Sequence, residues 1–126
     1  MSYTTQTLDA LYSTGHWLLA QERHRDALSV FRTMLLVDAR DERGWLGLAT
    51  CHEKLEEMAK AIELCRLAVS ACAPNAVRVA VARARMHRAL GAHDDARDAY
   101  EEALALADAA NEDELAAMIS QEAPAS

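Results

Sequence analysis

The chain has 126 residues, 52% of them hydrophobic and 26% charged, with a formal net charge of −7. It is long enough for one domain that buries roughly two-thirds of its unfolded surface without a disulfide. The acidic balance opposes whole-molecule attraction to nucleic acid or anionic lipid, and no apolar run approaches the ~20 residues of a membrane span.

The opening MSYTTQTLDALY lacks the basic and apolar segments of an export signal. Cys51, Cys65 and Cys72 are odd in number and show no CxxC spacing, which fits a reducing compartment. A cytoplasmic protein is expected, with no nucleic-acid partner and no membrane insertion.

Few glycines and prolines interrupt a sequence rich in Ala, Leu, Glu and Arg, and no alternating run of Val, Ile or Thr suggests a strand. The fold class is all-α. Breaks near 21–25, 38–43, 54–58, 73–76 and 91–95 define six helices. Asp41 and Asn75 are placed to cap the third and fifth helices, their side-chain oxygens accepting first-turn amides. Asn111 followed by Glu114 is a variant capping box, so a short seventh helix is expected over 112–119. The tail 121–126 is expected to be disordered.

The helices repeat. Leu11 and Ala27 lie sixteen residues apart, as do Trp45 and Ala61, and Ala80 and Ala96. Small residues share a second register at Gly15, Ala49 and Ala84, large or thiol side chains a third at Phe31, Cys65 and Tyr100, and Met34, Ala68 and Ala103 a fourth. Equivalent positions are separated by 34 and then 35 residues. These columns resemble the tetratricopeptide repeat, a helix-turn-helix unit of this period. Two helices cross closely where a small residue faces a small residue, and larger neighbours fill the flanks.

The expected architecture is therefore three such repeats, about 8–41, 42–75 and 77–110, forming a short right-handed superhelix with a concave groove, plus the C-terminal helix. Gly47 falls at none of the core columns and costs roughly 1 kcal/mol of helix propensity relative to Ala. Two readings stay open for it: room for a ligand chain, or drift in a helix held by packing.

Catalytic and metal readings find little support. The cysteines lie in apolar stretches, where a free thiol behaves as a small hydrophobe. His52 and His87 occupy a column three residues after the small one, at the edge of the core. Cys51 and His52, adjacent on a helix, point about 100° apart and do not form a nucleophile–base pair. There is no GxSxG, phosphate loop or HExxH. A non-enzyme without metal or cofactor is expected.

In tetratricopeptide proteins the first helix of each unit lines the concave face. With units starting at Leu8, Glu42 and Val77, the resemblance assigns to that groove Tyr12, Ser13, His16 and Leu19, then Arg43, Leu46, Gly47 and Thr50, then Arg78, Val81, Ala82, Arg85 and Arg88. Tyr12, Leu46 and Val81 would anchor apolar groups, and the arginines would offer a basic strip on an acidic protein. The Lys and Asn set of the carboxylate clamp for heat-shock chaperones is missing. Its positions hold Tyr12, His16, Gly47 and Ala82, with only Arg78 basic.

A narrower resemblance runs from Leu11 to Leu55. Leu11-Tyr12, then Val30-Phe31 with Leu35 and Asp38, then Asp41, Arg43, Trp45, Leu46, Gly47, Leu48 and Cys51 are similar to the class II chaperones of bacterial type III secretion. The third unit agrees more loosely through Arg78, Ala84 and Leu90-Gly91. This resemblance implies a chaperone that holds an extended segment of a secreted, translocator-like client in its groove. A needle-subunit chaperone and a generic assembly scaffold are the alternatives. Members of that family often dimerise through an extra N-terminal helical segment. Here only about seven residues precede the first helix, and a homodimer stays open beside the monomer.

Overall fold

A computed structural model describes residues 2–124 and contains seven α-helices and no strand among them. They are α1 (Tyr3–Ala20), α2 (His24–Val37), α3 (Glu42–Lys54), α4 (Met58–Cys72), α5 (Val77–Ala89), α6 (His93–Ala109) and α7 (Asp113–Glu122). Pairs α1–α2, α3–α4 and α5–α6 form antiparallel hairpins stacked in chain order, and α7 folds back on α6.

The repeat columns explain the stacking. Ala27, Ala61 and Ala96 are 0%, 0% and 1% exposed, and the small residues Gly15, Ala49 and Ala84 are buried opposite them. Backbones approach closely at these points, and Phe31, Cys65 and Tyr100 fill the flanking space. Burying Phe31 or Tyr100 contributes about 1.5–3 kcal/mol each.

The turns inside the three hairpins share one device. Glu22, Glu56 and Gly91 take the left-handed conformation, with φ of 60°, 62° and 73°. The next residue's amide then donates back to the helix: Arg23 N to Leu18 O at 2.9 Å, Glu57 N to His52 O at 2.8 Å, Ala92 N to His87 O at 3.0 Å. Such a bond satisfies a carbonyl that the helix end would leave open. Only the third turn uses glycine, for which this conformation costs little. Glu56→Gly should therefore stabilise the fold by about 0.5–1 kcal/mol, read as a higher urea midpoint. A lower midpoint would mean that Glu56 has a stabilising contact that outweighs its backbone strain.

Helix starts differ in part from the sequence reading. Asp41 caps α3, its carboxylate accepting from Arg43 N at 3.0 Å. Asn75 does not cap α5. The helix begins after Ala76, and Glu42 of α3 supplies the missing acceptor by taking Val79 N–H at 3.1 Å. A carboxylate from the preceding hairpin thus satisfies a first-turn amide and suits the helix dipole.

The capping box at Asn111 and Glu114 is also absent. Asn111 has φ 56° and terminates α6, while Glu112 N donates to Ala107 O at 2.9 Å. The first helix starts at Tyr3, earlier than Leu8, because the Ser2 hydroxyl accepts Thr5 N–H at 3.2 Å. Gln121 and Glu122, expected in a disordered tail, complete α7, where Ile119 is buried and Glu122 is held by side chains of α5 and α6. Residues 125 and 126 of that expected tail lie outside the described ones.

Candidate peptide-binding groove

The first helices α1, α3 and α5 lie side by side and carry all of the expected groove residues. One cavity of about 390 Å³ opens between them. Tyr12, His16 and Leu19 of α1 form one wall, Arg43, Leu46, Gly47 and Thr50 of α3 the other, and Arg78 closes the end. A second cavity of about 260 Å³ follows, bounded by Leu46, Arg78, Val81, Ala82 and Arg85. Leu46 belongs to both, so the two are successive pockets of one trough. Val81, at 4% exposure, is a floor and not a projecting anchor. Ser13 and Arg88 line neither cavity, and both are exposed.

The sequence reading missed several contributors. Phe31 of α2 floors the first cavity, Glu42 adds a carboxylate to it, and Leu115 and Met118 of α7 line the second. Phe31 was legible as a core column. Its visibility from the groove depends on Gly15 and Gly47, which no periodicity reveals.

Gly47 has a structural reason after all. A Cβ there would overlap three atoms of the Phe31 ring, and one at Gly15 would approach Phe31 Cζ to 2.6 Å. The ring is wedged between two bare helix backbones and has nowhere to retreat. The space beside Gly47 is therefore filled by the protein's own phenyl ring, which becomes the pocket floor. Gly47→Ala should destabilise the fold by about 1–3 kcal/mol despite the gain in helix propensity. A urea midpoint equal to wild type would show that Phe31 has room to move.

The arginine strip is not free. Arg43 donates to Asp41 at 2.8 Å and to Asp9 of α1 at 3.1 Å, and its guanidinium lies 4.9 Å from the centre of the Tyr12 ring. Hydrogen bonding to Asp41, with the Asp41 charge and the contact to Asp9 adding to it, raises its already high pKa further against partial burial. Arg78 sits 3.6 Å from Glu42 and 3.6 Å from Glu112. Burial pushes the Glu42 carboxyl up, against the opposing Val79 amide and Arg78 charge.

Arg85 makes a two-pronged pair with Glu122, at 2.9 and 2.7 Å, and Arg88 reaches the Glu122 carbonyl at 3.5 Å. These contacts form a ladder between neighbouring first helices, from Asp9 through Arg43 to Glu42, Arg78 and Glu112. Each exposed rung is worth at most about 1 kcal/mol, so the ladder orients helices more than it stabilises them. Its consequence for the trough is larger, because the guanidinium groups of Arg43, Arg78 and Arg85 already have carboxylate partners. The trough is thus left to offer chiefly shape and apolar surface.

The thiols are poor nucleophiles. Burial raises Cys51 and Cys72 to about 11 and Cys65 to about 12. His52 is 8% exposed, with Nδ1 3.2 Å from Glu57 Oε1, at the core edge as expected. Among the described residues no helix is long and apolar enough to cross a membrane.

The tetratricopeptide repeat profile matches residues 12–77, and a second profile of the same repeat matches 77–109. The chain belongs to the tetratricopeptide repeat family. Its three helix-turn-helix repeats build a short right-handed superhelix whose first helices line the concave groove.

Comparison with curated proteins returns no match. Among solved structures, PcrH from Pseudomonas aeruginosa is 27% identical with a TM-score of 0.76, over 96% of this chain and 90% of that one. PcrH in complex with the chaperone binding region of PopB matches at 27% identity and TM-score 0.76, over 96% of both chains. The type III secretion translocator chaperone SycD of Yersinia enterocolitica shares the fold at TM-score 0.78 and 23% identity, over 93% of this tetratricopeptide chain and 87% of SycD. The translocator-chaperone resemblance drawn from residues 11–55 thus extends over nearly the whole fold.

Proposed function

We propose that this protein is a cytoplasmic chaperone of a type III secretion system. It binds an extended segment of a secreted, translocator-like protein in its concave groove and keeps that client soluble and export-competent. The observation that carries this reading is the pair of successive apolar pockets sharing Leu46, in a chain 27% identical to PcrH over nearly its full length.

An extended peptide advances about 3.3 Å per residue and presents alternate side chains to one face. Two of its apolar side chains would enter the Phe31 and Val81 pockets. Each contributes about 1.5–3 kcal/mol before the cost of association, so a lone segment held by these two side chains alone binds more weakly than micromolar. Tighter holding would draw on further apolar stretches of the client. No catalytic step belongs to this reading, since the thiols are buried and largely protonated near neutral pH.

The test is co-expression with a hydrophobic translocator, with and without the chaperone, followed by separation of soluble from sedimenting client. A client that stays in the soluble fraction only with the chaperone, in a co-purifying complex, is the expected result. An equally insoluble client in both would refute the proposal.

A further inference from the structure

We infer that α7 is the fourth wall of the client groove, that Leu115 and Met118 touch the client, and that Glu122 is the positioning residue that sets them there. This deepens the groove reading and rests on it. α5 begins at Val77, 35 residues after α3 begins at Glu42, and α7 begins at Asp113, 36 residues after α5. Thus α7 stands where the first helix of a fourth unit would stand.

Its pairing with α5 agrees. Arg78 and Arg85 reach Glu112 and Glu122 in the same order along both helices, so the two run in the same direction, as neighbouring first helices do. The second pocket has Leu46, Val81 and Ala82 on one side and Leu115 and Met118 on the other, and it continues the first through Leu46. Leu115 and Met118 are only half-buried at the edge of the α5–α6 core cluster, whereas Ile119, the next residue round the same side of α7, is 1% exposed and anchors the helix there.

The C-terminal turn is fixed by one carboxylate. Glu122 takes two bonds from Arg85 and a third, at 2.6 Å, from the Tyr100 hydroxyl of α6. The Arg85 guanidinium holds the Glu122 carboxyl down at about 2, so the latch stays charged under ordinary conditions. Removing it leaves α7 anchored through Ile119 but frees the wall that carries Met118.

The experiment titrates the full chain against the fluorescein-labelled chaperone binding region of PopB, and separately that of PopD, by anisotropy. The proteins are wild type, Leu46→Arg, Met118→Arg, Met118→Ala, Glu122→Gln, and the pair of Met118→Ala with Glu122→Gln. Circular dichroism confirms that each is helical. Met118→Arg is expected to weaken binding at least about tenfold, and Met118→Ala and Glu122→Gln about three- to tenfold each. The double variant should be little weaker than Met118→Ala alone, because Glu122 acts through Met118.

Wild-type affinity in Met118→Arg and Met118→Ala, with binding lost in Leu46→Arg, would confine the groove to the three repeats and overturn this inference alone. Fully additive losses in the double variant would make Glu122 merely structural and overturn its positioning role. Failure of wild type to bind either region would overturn the groove reading, and this one with it.

Discussion

Ala61→Leu will unfold the protein under conditions where wild type is fully native. Ala61 is 0% exposed and faces a cluster of Ala49, Cys65 and Met86, where α3 and α4 cross. Three additional carbons have no space at that crossing and force the helices apart. Overpacking of a tight site costs about 1–3 kcal/mol and occasionally more. Here the crossing repeats along the stack, so a displaced α4 also disturbs its contact with α5, and at least about 3 kcal/mol is expected. Urea denaturation followed at 222 nm checks this, with Ala59→Leu as the control, since Ala59 lies exposed on the same helix. Equal midpoints for the two variants would place the helix crossing elsewhere.

Leu46→Arg will abolish client binding. Leu46 is the apolar residue shared by both pockets, and a guanidinium there blocks the trough and puts a charge where an apolar side chain must be desolvated. Leu46 also packs against the cluster of Ala68, Cys72, Ala76 and Val79, so the variant loses about 1 kcal/mol of stability as well. Helicity stays intact while affinity falls by more than about a hundredfold, as at a central anchor of an interface. Retained binding in a folded Leu46→Arg protein would put the client on another face. A loss of stability matching Ala61→Leu would make Leu46 a core residue.

The parts of this fold that repeat were legible in the sequence, and the parts that do not repeat were hidden. Ala27, Ala61 and Ala96 announce their helix crossings because the same physical demand recurs in each unit. Gly47 breaks the pattern, since its cause is a single ring, Phe31, that lies on a different helix sixteen residues earlier. The arginines read as a free basic strip because their partners Asp9, Glu42, Glu112 and Glu122 come from neighbouring units, about a full period away in the chain. Glu42 replaces Asn75 as the acceptor for α5 for the same reason: stacking decides it, and local capping preference does not.

Glu22 and Glu56 carry no glycine to mark their left-handed turns. The C-terminal helix was visible, but its place beside α5 depends on tertiary ion pairs with Arg78 and Arg85. Consequently the two walls of the groove's first pocket could be assembled from repeat positions, whereas its Phe31 floor and the α7 side of the second pocket could not.

The central claim is that the client lies in the concave trough, and photo-crosslinking tests it most directly. Benzoylphenylalanine at Thr50, inside the first pocket, and at Leu67, 42% exposed on the second-helix α4, is irradiated with the PopB chaperone binding region bound. Adducts to one stretch of that region from position 50, and none from position 67, are predicted. Crosslinks from position 67 with none from position 50 would contradict the account.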